Sequence, residues 1–341
     1  MIFKKDDRVL LGHGSGGILT SNLISQLFLH YFKNDILEQM SDSALLQIKS
    51  NNVAFTTDSF VIDPLFFPGG NIGKLAVCGT INDLAVSGAK PLFLSCAFII
   101  EEGFPLHQLE KIVQSMAEEA EKAQVKIVTG DTKVVAKGQC DKLFINTSGI
   151  GCLLPKYLNI GRAENIKKGD KIIINGSLGD HAISVLSARN DLNIQTDLIS
   201  DCASLNGLIS NVLNNSAGVN FMRDITRGGL ATVLCELAEQ KKLGFALDEN
   251  KIPVKEAVRG VCELLGFDPL YLANEGKVVM IVAHESAELI LSIMRNHSLG
   301  KDSCIIGELS EENAGLVWLN TQIGGKRLVD KLSGDQLPRI C

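Results

Sequence analysis

Apolar runs of β-forming residues alternate with segments of helical period along the whole chain, and this alternation limits the fold more than any single motif does. VAFTTD (53–58) precedes GKLAVCGTINDLAVSGA (73–89), PLFLSCAFII (91–100) precedes LHQLEKIVQSMAEEAEKA (106–123), and VKIVTGD (125–131) precedes LFINTSGIGCLL (143–154). The expected class is mixed α/β. PKYLNIGRAENIKKG (155–169) breaks the pattern, and KIIINGSLGDHAISVLSA (171–188) then opens a new strand, glycine turn and helix. A helix at GLATVLCELAEQ, a strand at KVVMIVA and a helix at SAELILSIMRNH continue the second half. The reading divides the chain into an N-terminal domain over 1–155, a C-terminal α/β domain over 156–329 and a tail over 330–341. The 341 residues and 45% hydrophobic content are enough for two ordinary cores.

Charge and cysteine usage exclude several classes. The formal net charge is −6 and no Lys/Arg run exceeds a pair, so a nucleic-acid partner is not expected. The longest apolar run, Pro91 to Ile100, is too short to span a bilayer, and MIFKKDDRVL lacks the apolar core of a signal peptide, so a cytoplasmic protein is expected. Nine cysteines show neither a CxxC pair nor histidines at ligand spacing, which argues against structural zinc. Cys78, Cys96, Cys152 and Cys235 sit in apolar stretches and read as small hydrophobes. Cys341 does not. It follows DKLSGDQLPRI, a segment without apolar period that reads as an extended or mobile tail able to reach roughly 25 Å from Gly334. A thiolate on such an arm is both a nucleophile and an anchor for an acyl-type group, with Arg339 as the docking charge.

Other candidates fall where strands and helices meet. LGHGSGG (11–17) has backbone N–H groups from His13, Gly14, Ser15, Gly16 and Gly17 to offer phosphate oxygens, although it is neither a P-loop nor a GxGxxG fingerprint. Asp58 and Asp131 close strands and Asp83 lies in a helix. One such acid usually serves a turn or cap; several from separate elements suggest hard oxygen ligands for Mg²⁺. Asp224, in RDITRGGL, is either the N-cap of the next helix or part of an anion or metal site there. Lys133 and Glu275 are acid–base candidates, each also readable as a solvated surface residue.

Taken together, HGSGG, TTDSFVIDPLFFPGGNIGKLAVCGTINDLAVSGAKP, VTGDTKVV, RDITRGGL, NEGK and the terminal PRIC resemble the HypE family of hydrogenase maturation proteins, within the superfamily of aminoimidazole ribonucleotide synthetase and selenophosphate synthetase. The likeness runs over essentially the whole chain. It implies the two-domain fold of that synthetase with a flexible C-terminal tail, a homodimer, and an ATP-dependent carbamoyl dehydratase that converts an S-carbamoyl group on Cys341 to a thiocyanate. It implies loading by the carbamoyltransferase HypF and delivery of cyanide to the iron held by HypC–HypD. On the same ground Asp58, Asp83, Asp131 and Asp224 stand near Mg²⁺–ATP, the HGSGG loop, Lys74, Asn82, Thr132 and Arg339 bind cofactor or tail, Glu275 is the base on nitrogen and Lys133 its electrostatic partner. The competing expectations are a selenophosphate-synthetase-like kinase, which relies on a reactive Cys near the glycine loop where this chain has none before Cys78, and a non-catalytic thiol carrier.

Overall fold

The computed structural model describes residues 2–40, 43–189, 196–332, 337 and 340. A short helical segment, α1 (Ile18–Leu23), continues through a π-helical turn at Ile24–Phe28 into α2 (Leu29–Phe32). Then come β1 (Val53–Phe60), the ribbon strands β2 (Phe66–Phe67) and β3 (Gly70–Asn71), α3 (Ile72–Val86), β4 (Ala89–Glu101), α4 (Leu106–Lys122), β5 (Lys126–Val135) and β6 (Leu143–Leu153). The second half runs β7 (Lys171–Ile174), α5 (Asp180–Ala188), α6 (Asn206–Asn215), β8 (Val219–Asp224), α7 (Gly229–Lys241), β9 (Gly244–Asp248), α8 (Glu256–Leu265), β10 (Val278–Val282), α9 (Ala287–Arg295), β11 (Cys304–Ser310), β12 (Val317–Asn320) and β13 (Lys326–Val329).

The first half builds a four-stranded sheet in the order β1-β6-β4-β5, and the second a seven-stranded sheet in the order β13-β12-β9-β11-β7-β10-β8. In the first, only β4 and β5 run parallel, because α4 carries the chain across between them. Period-two alternation sends Phe60, Leu94, Cys96, Phe98, Thr147 and Ile145 to the helix-covered face. Val53, Phe55 and Ile99 fall on the opposite face, where Phe55 is 69% exposed and no element among the described residues covers them.

α3 joins the two halves. Asn71 caps it, its side chain accepting from the backbone N–H groups of Gly73 and Lys74. Every residue of α3 except Lys74 and Asp83 is buried, the composition of a helix with apolar contacts all round. One side packs on α4 and the first sheet, the other on α6 and β8. Ala85 and Val86 accordingly share a core with Ile173, Leu208 and Met280 of the second half, and the main core of the first half takes in Ala182, Val258, Leu272 and Ile340. The cleft between the halves is thus fixed by continuous packing. Among the described residues no helix is long and apolar enough to cross a membrane.

Candidate active site

Three predicted acids meet at the edge of the first sheet where the second half abuts it. Asp58 points from β1 to the α3 side, and Asp83, the polar exception on α3, accepts a 2.8 Å hydrogen bond from Thr56 on the same face of β1. Asp224 ends β8 and is not the N-cap of α7, a place taken by Gly228. Each carboxyl is pushed up mainly by burial; Asp58 adds to the effect on Asp83, Arg227 offsets part of it at Asp58, and Asp224, with Asp83 and Asp58 beside it, reaches about 7. Three buried carboxyls, with Asp58 acting on Asp83 and both acting on Asp224, form a site that a divalent cation would relieve. Among the described residues no three His, Cys, Asp or Glu side chains are arranged to hold an ion unaided. That suits Mg²⁺, which commonly takes one or two carboxylates and completes its shell with phosphate oxygens and water.

Glu275 lies next to these acids and is held by its backbone. Its N–H donates to Asp201 Oδ1 at 3.2 Å, its carbonyl accepts from Asn82 Nδ2 at 3.2 Å, and Gly276 lies so close to the Asp201 carbonyl that a Cβ there would collide with it. The side chain is buried and Oε1 has no hydrogen-bond partner. Burial first, then Asp201, Asp224 and Asp58, holds this carboxyl well above the usual range. Burial also acts to raise Asp201, but Lys277, 3.3 Å away, and His181 draw it below its ordinary value. The result is a fixed anion–cation pair beneath a carboxyl that resists ionising.

The glycine loop, Asp131 and Lys133 occupy the other edge of the same sheet. Asp58 pairs with Thr147, Thr147 with Cys96 and Cys96 with Gly130, so three strand spacings, about 14 Å, separate β1 from β5. The pleat sets Asp131 and Lys133 on the open face, with the Lys133 ammonium 3.9 Å from the Asp131 carboxylate and both side chains about two-thirds exposed. Gly14 packs so closely on the backbone of Val134 that no side chain fits, which brings the loop against β5. Ser15, Gly16 and Gly17 are exposed. His13 is buried and accepts from the Leu10 N–H through Nδ1, so it caps the loop rather than facing open space. Thr132 lines a largely apolar cavity with Phe28, Cys96 and Phe98. Within one chain, then, the structure unites Asp58, Asp83, Asp224 and Glu275 but leaves Asp131, Lys133 and the loop apart from them.

Two predicted cofactor contacts are already engaged. Asn82 donates to the carbonyls of Ala203 and Glu275 and accepts from Leu205 N–H, a clamp between the halves with its side chain buried. Lys74 donates to the Gly69 carbonyl at 3.0 Å and lines a separate polar cavity with Asp180, Asp201 and Lys277. Arg339 and Cys341 lie outside the described residues, whereas Ile340 is buried. Sequence reading missed Asp201, Lys277, His181 and the approach of Cys78 to Cys202, two buried thiols near Glu275. The only signal was NEGK, which contains Lys277; Asp201 sits in a loop with no motif.

Comparison with known proteins identifies both halves of the fold. The N-terminal domain of the AIR synthase related proteins matches residues 40–153 and the C-terminal domain residues 167–319. The carbamoyl dehydratase HypE of Bradyrhizobium diazoefficiens is 50% identical over 332 residues, 97% of this chain and 95% of that protein. A crystal structure of hydrogenase maturation protein HypE in complex with ATP superposes with a TM-score of 0.92 at 46% identity, covering 97% of this chain and 99% of the other. The matching chain from a crystal structure of a HypE–HypF complex gives 0.79 at 51% identity, covering 91% and 99%. Matched in both of its halves and over almost its whole length, the chain belongs to the HypE family of carbamoyl dehydratases.

Proposed function

We propose that this chain uses ATP to dehydrate a carbamoyl group carried on the Cys341 thiol, converting S–C(=O)–NH₂ to S–C≡N with release of ADP and phosphate. The observation that carries the reading is Glu275, a buried carboxyl with a free oxygen and a raised pKa, beside an acid cluster suited to phosphates and their cation. An amide-like oxygen is a poor leaving group, so it first takes the ATP γ-phosphoryl group and then departs as phosphate. The nitrogen gives up two protons, one to Glu275 Oε1 as the oxygen takes the phosphoryl group and the other to the departing phosphate as the C≡N bond forms, and the raised pKa of Glu275 makes it the stronger base once ionised. Asp201 and Asn82 hold its backbone in place. Asp58, Asp83 and Asp224 hold Mg²⁺, which when bound screens phosphate charge.

Lys133, Asp131 and the glycine loop come from a second copy of the chain. Among the described residues, the first sheet leaves the outer sides of β1 and β5 unpaired and Val53, Phe55 and Ile99 exposed on its open face. A homodimer that sets β5 of one protomer beside β1 of its partner covers these groups and completes the site with phosphate-binding N–H groups and an ammonium. The tail is loaded with carbamoyl by the transferase HypF, a reading supported by the similar HypE–HypF structure, and gives up cyanide to HypC–HypD in the cytoplasm.

Two experiments test this. With the transferase, carbamoyl phosphate and ATP, the intact C-terminal peptide is expected to gain a carbamoyl group and lose one water only when ATP can be hydrolysed. An unmodified peptide beside an active transferase would favour the kinase reading, and an adduct that never loses water would favour a carrier. For the composite site, Lys133→Ala and Asp224→Asn chains, each inactive alone, are mixed. Random reassociation restores roughly a quarter of wild-type activity if the site spans two protomers, and none if it lies within one.

A further inference from the structure

His181 is fully buried on α5, and both of its ring nitrogens are engaged. Nε2 lies 2.7 Å from the carbonyl oxygen of Ile340 and Nδ1 lies 2.8 Å from Ser200 Oγ. A carbonyl only accepts, so Nε2 carries the proton and Nδ1 accepts from the Ser200 hydroxyl, whose oxygen in turn accepts from the Cys202 N–H at 3.1 Å. Burial, opposed only in part by Asp201, lowers the histidine's pKa and keeps the neutral tautomer that this relay requires. The seat belongs to both halves: Phe67 of β2 stands edge-on to the ring at 5.4 Å, and the Pro68 carbonyl accepts from Ser184 Oγ and Ser200 N–H. Ile340 itself is buried and Leu337 packs partly against the same core.

We infer that His181 is a positioning residue for the dehydration, a main-chain latch that grips the carbonyl next to the reactive thiol's residue and so fixes where that thiol is presented. Asp201, near the ring, also binds the Glu275 N–H, so the latch and the base share one support. The grip reads a backbone carbonyl and an apolar side chain, and it needs no charge on the tail. It opposes release of the tail to a partner: the docked state serves dehydration, the released state serves loading.

The inference rests on the dehydratase reading and makes a separate prediction. In full-length protein loaded beforehand with carbamoyl, His181→Ala is expected to slow ATP-dependent loss of water roughly tenfold or more at saturating ATP, with KM for ATP unchanged. Loading by the transferase should proceed at the wild-type rate or faster. His181→Gln, which keeps a donor near the Nε2 position, should recover most of the dehydration rate. Wild-type dehydration in the alanine variant would overturn the inference, as would parallel loss of loading and dehydration that glutamine fails to repair. If alanine at 181 does not fold, Ile340→Gly empties the same seat from the tail side and should show the same selective defect; an unaffected rate would sink the idea. Failure of the wild-type adduct itself to lose water would refute the dehydratase reading instead.

Discussion

The two edges of the first sheet hold similar polar residues under opposite conditions. At the β1 edge, Asp58, Asp83, Asp224 and Glu275 are drawn into a desolvated cleft where burial first, then neighbouring acids at all but Asp58, pushes their pKa values up. At the β5 edge, Asp131 and Lys133 pair loosely in solvent and the glycine loop lies exposed. The first edge gathers buried carboxyls with little positive charge near them; the second has exposed charge and an open loop, its Gly16 N–H already donating to Thr20 Oγ1, but no enclosure. A buried carboxylate cluster needs positive charge brought to it, and an exposed lysine gains strength as an electrostatic group only when water is excluded. Each edge supplies what the other lacks, which is the physical case for a site shared between protomers.

The sharpest way to break the comparison is at the enclosed edge. Glu275→Gln keeps size and burial but removes the base, and single-turnover thiocyanate formation is expected to fall about 10³-fold with the fold intact; a drop below tenfold would move the base elsewhere. A smaller effect tests the clamp behind it. Asn82→Ala leaves the Ala203 and Glu275 carbonyls and the Leu205 N–H without their partner, so denaturant unfolding should show a loss of about 1–3 kcal/mol. Lys133→Ala at the open edge should leave stability within about 0.5 kcal/mol.

A further test concerns pH. Asp224 titrates near 7 in the folded chain instead of 3.8, so between those values the folded state keeps a proton that the unfolded chain has released. Its contribution is therefore complete below the unfolded value and is lost as pH rises through about 7. Without divalent cation, Asp224→Asn should raise Tm by about 2 °C or more at pH 8 and much less at pH 5. An equal rise at both would show that the carboxyl is not held protonated.

Local sequence determined much of this protein. The period of its apolar residues marked the strands and helices, and the acids Asp58, Asp83 and Asp224 stood out against apolar neighbours a few residues away, although Asp58 and Asp131 lie within β1 and β5 and do not close them, and Asp131 does not join the others. The motifs around Glu275 carried the family resemblance as well. Only the tertiary structure decided that Asn82 is a clamp, that Cys78 meets Cys202 and that His181 meets Ile340, 159 residues apart in sequence. It also decided that Asp131 and Lys133 stand three strands away from Asp58, on the other face. Strand order and pleat set those relations, and neither leaves a trace in the spacing of residues along the chain.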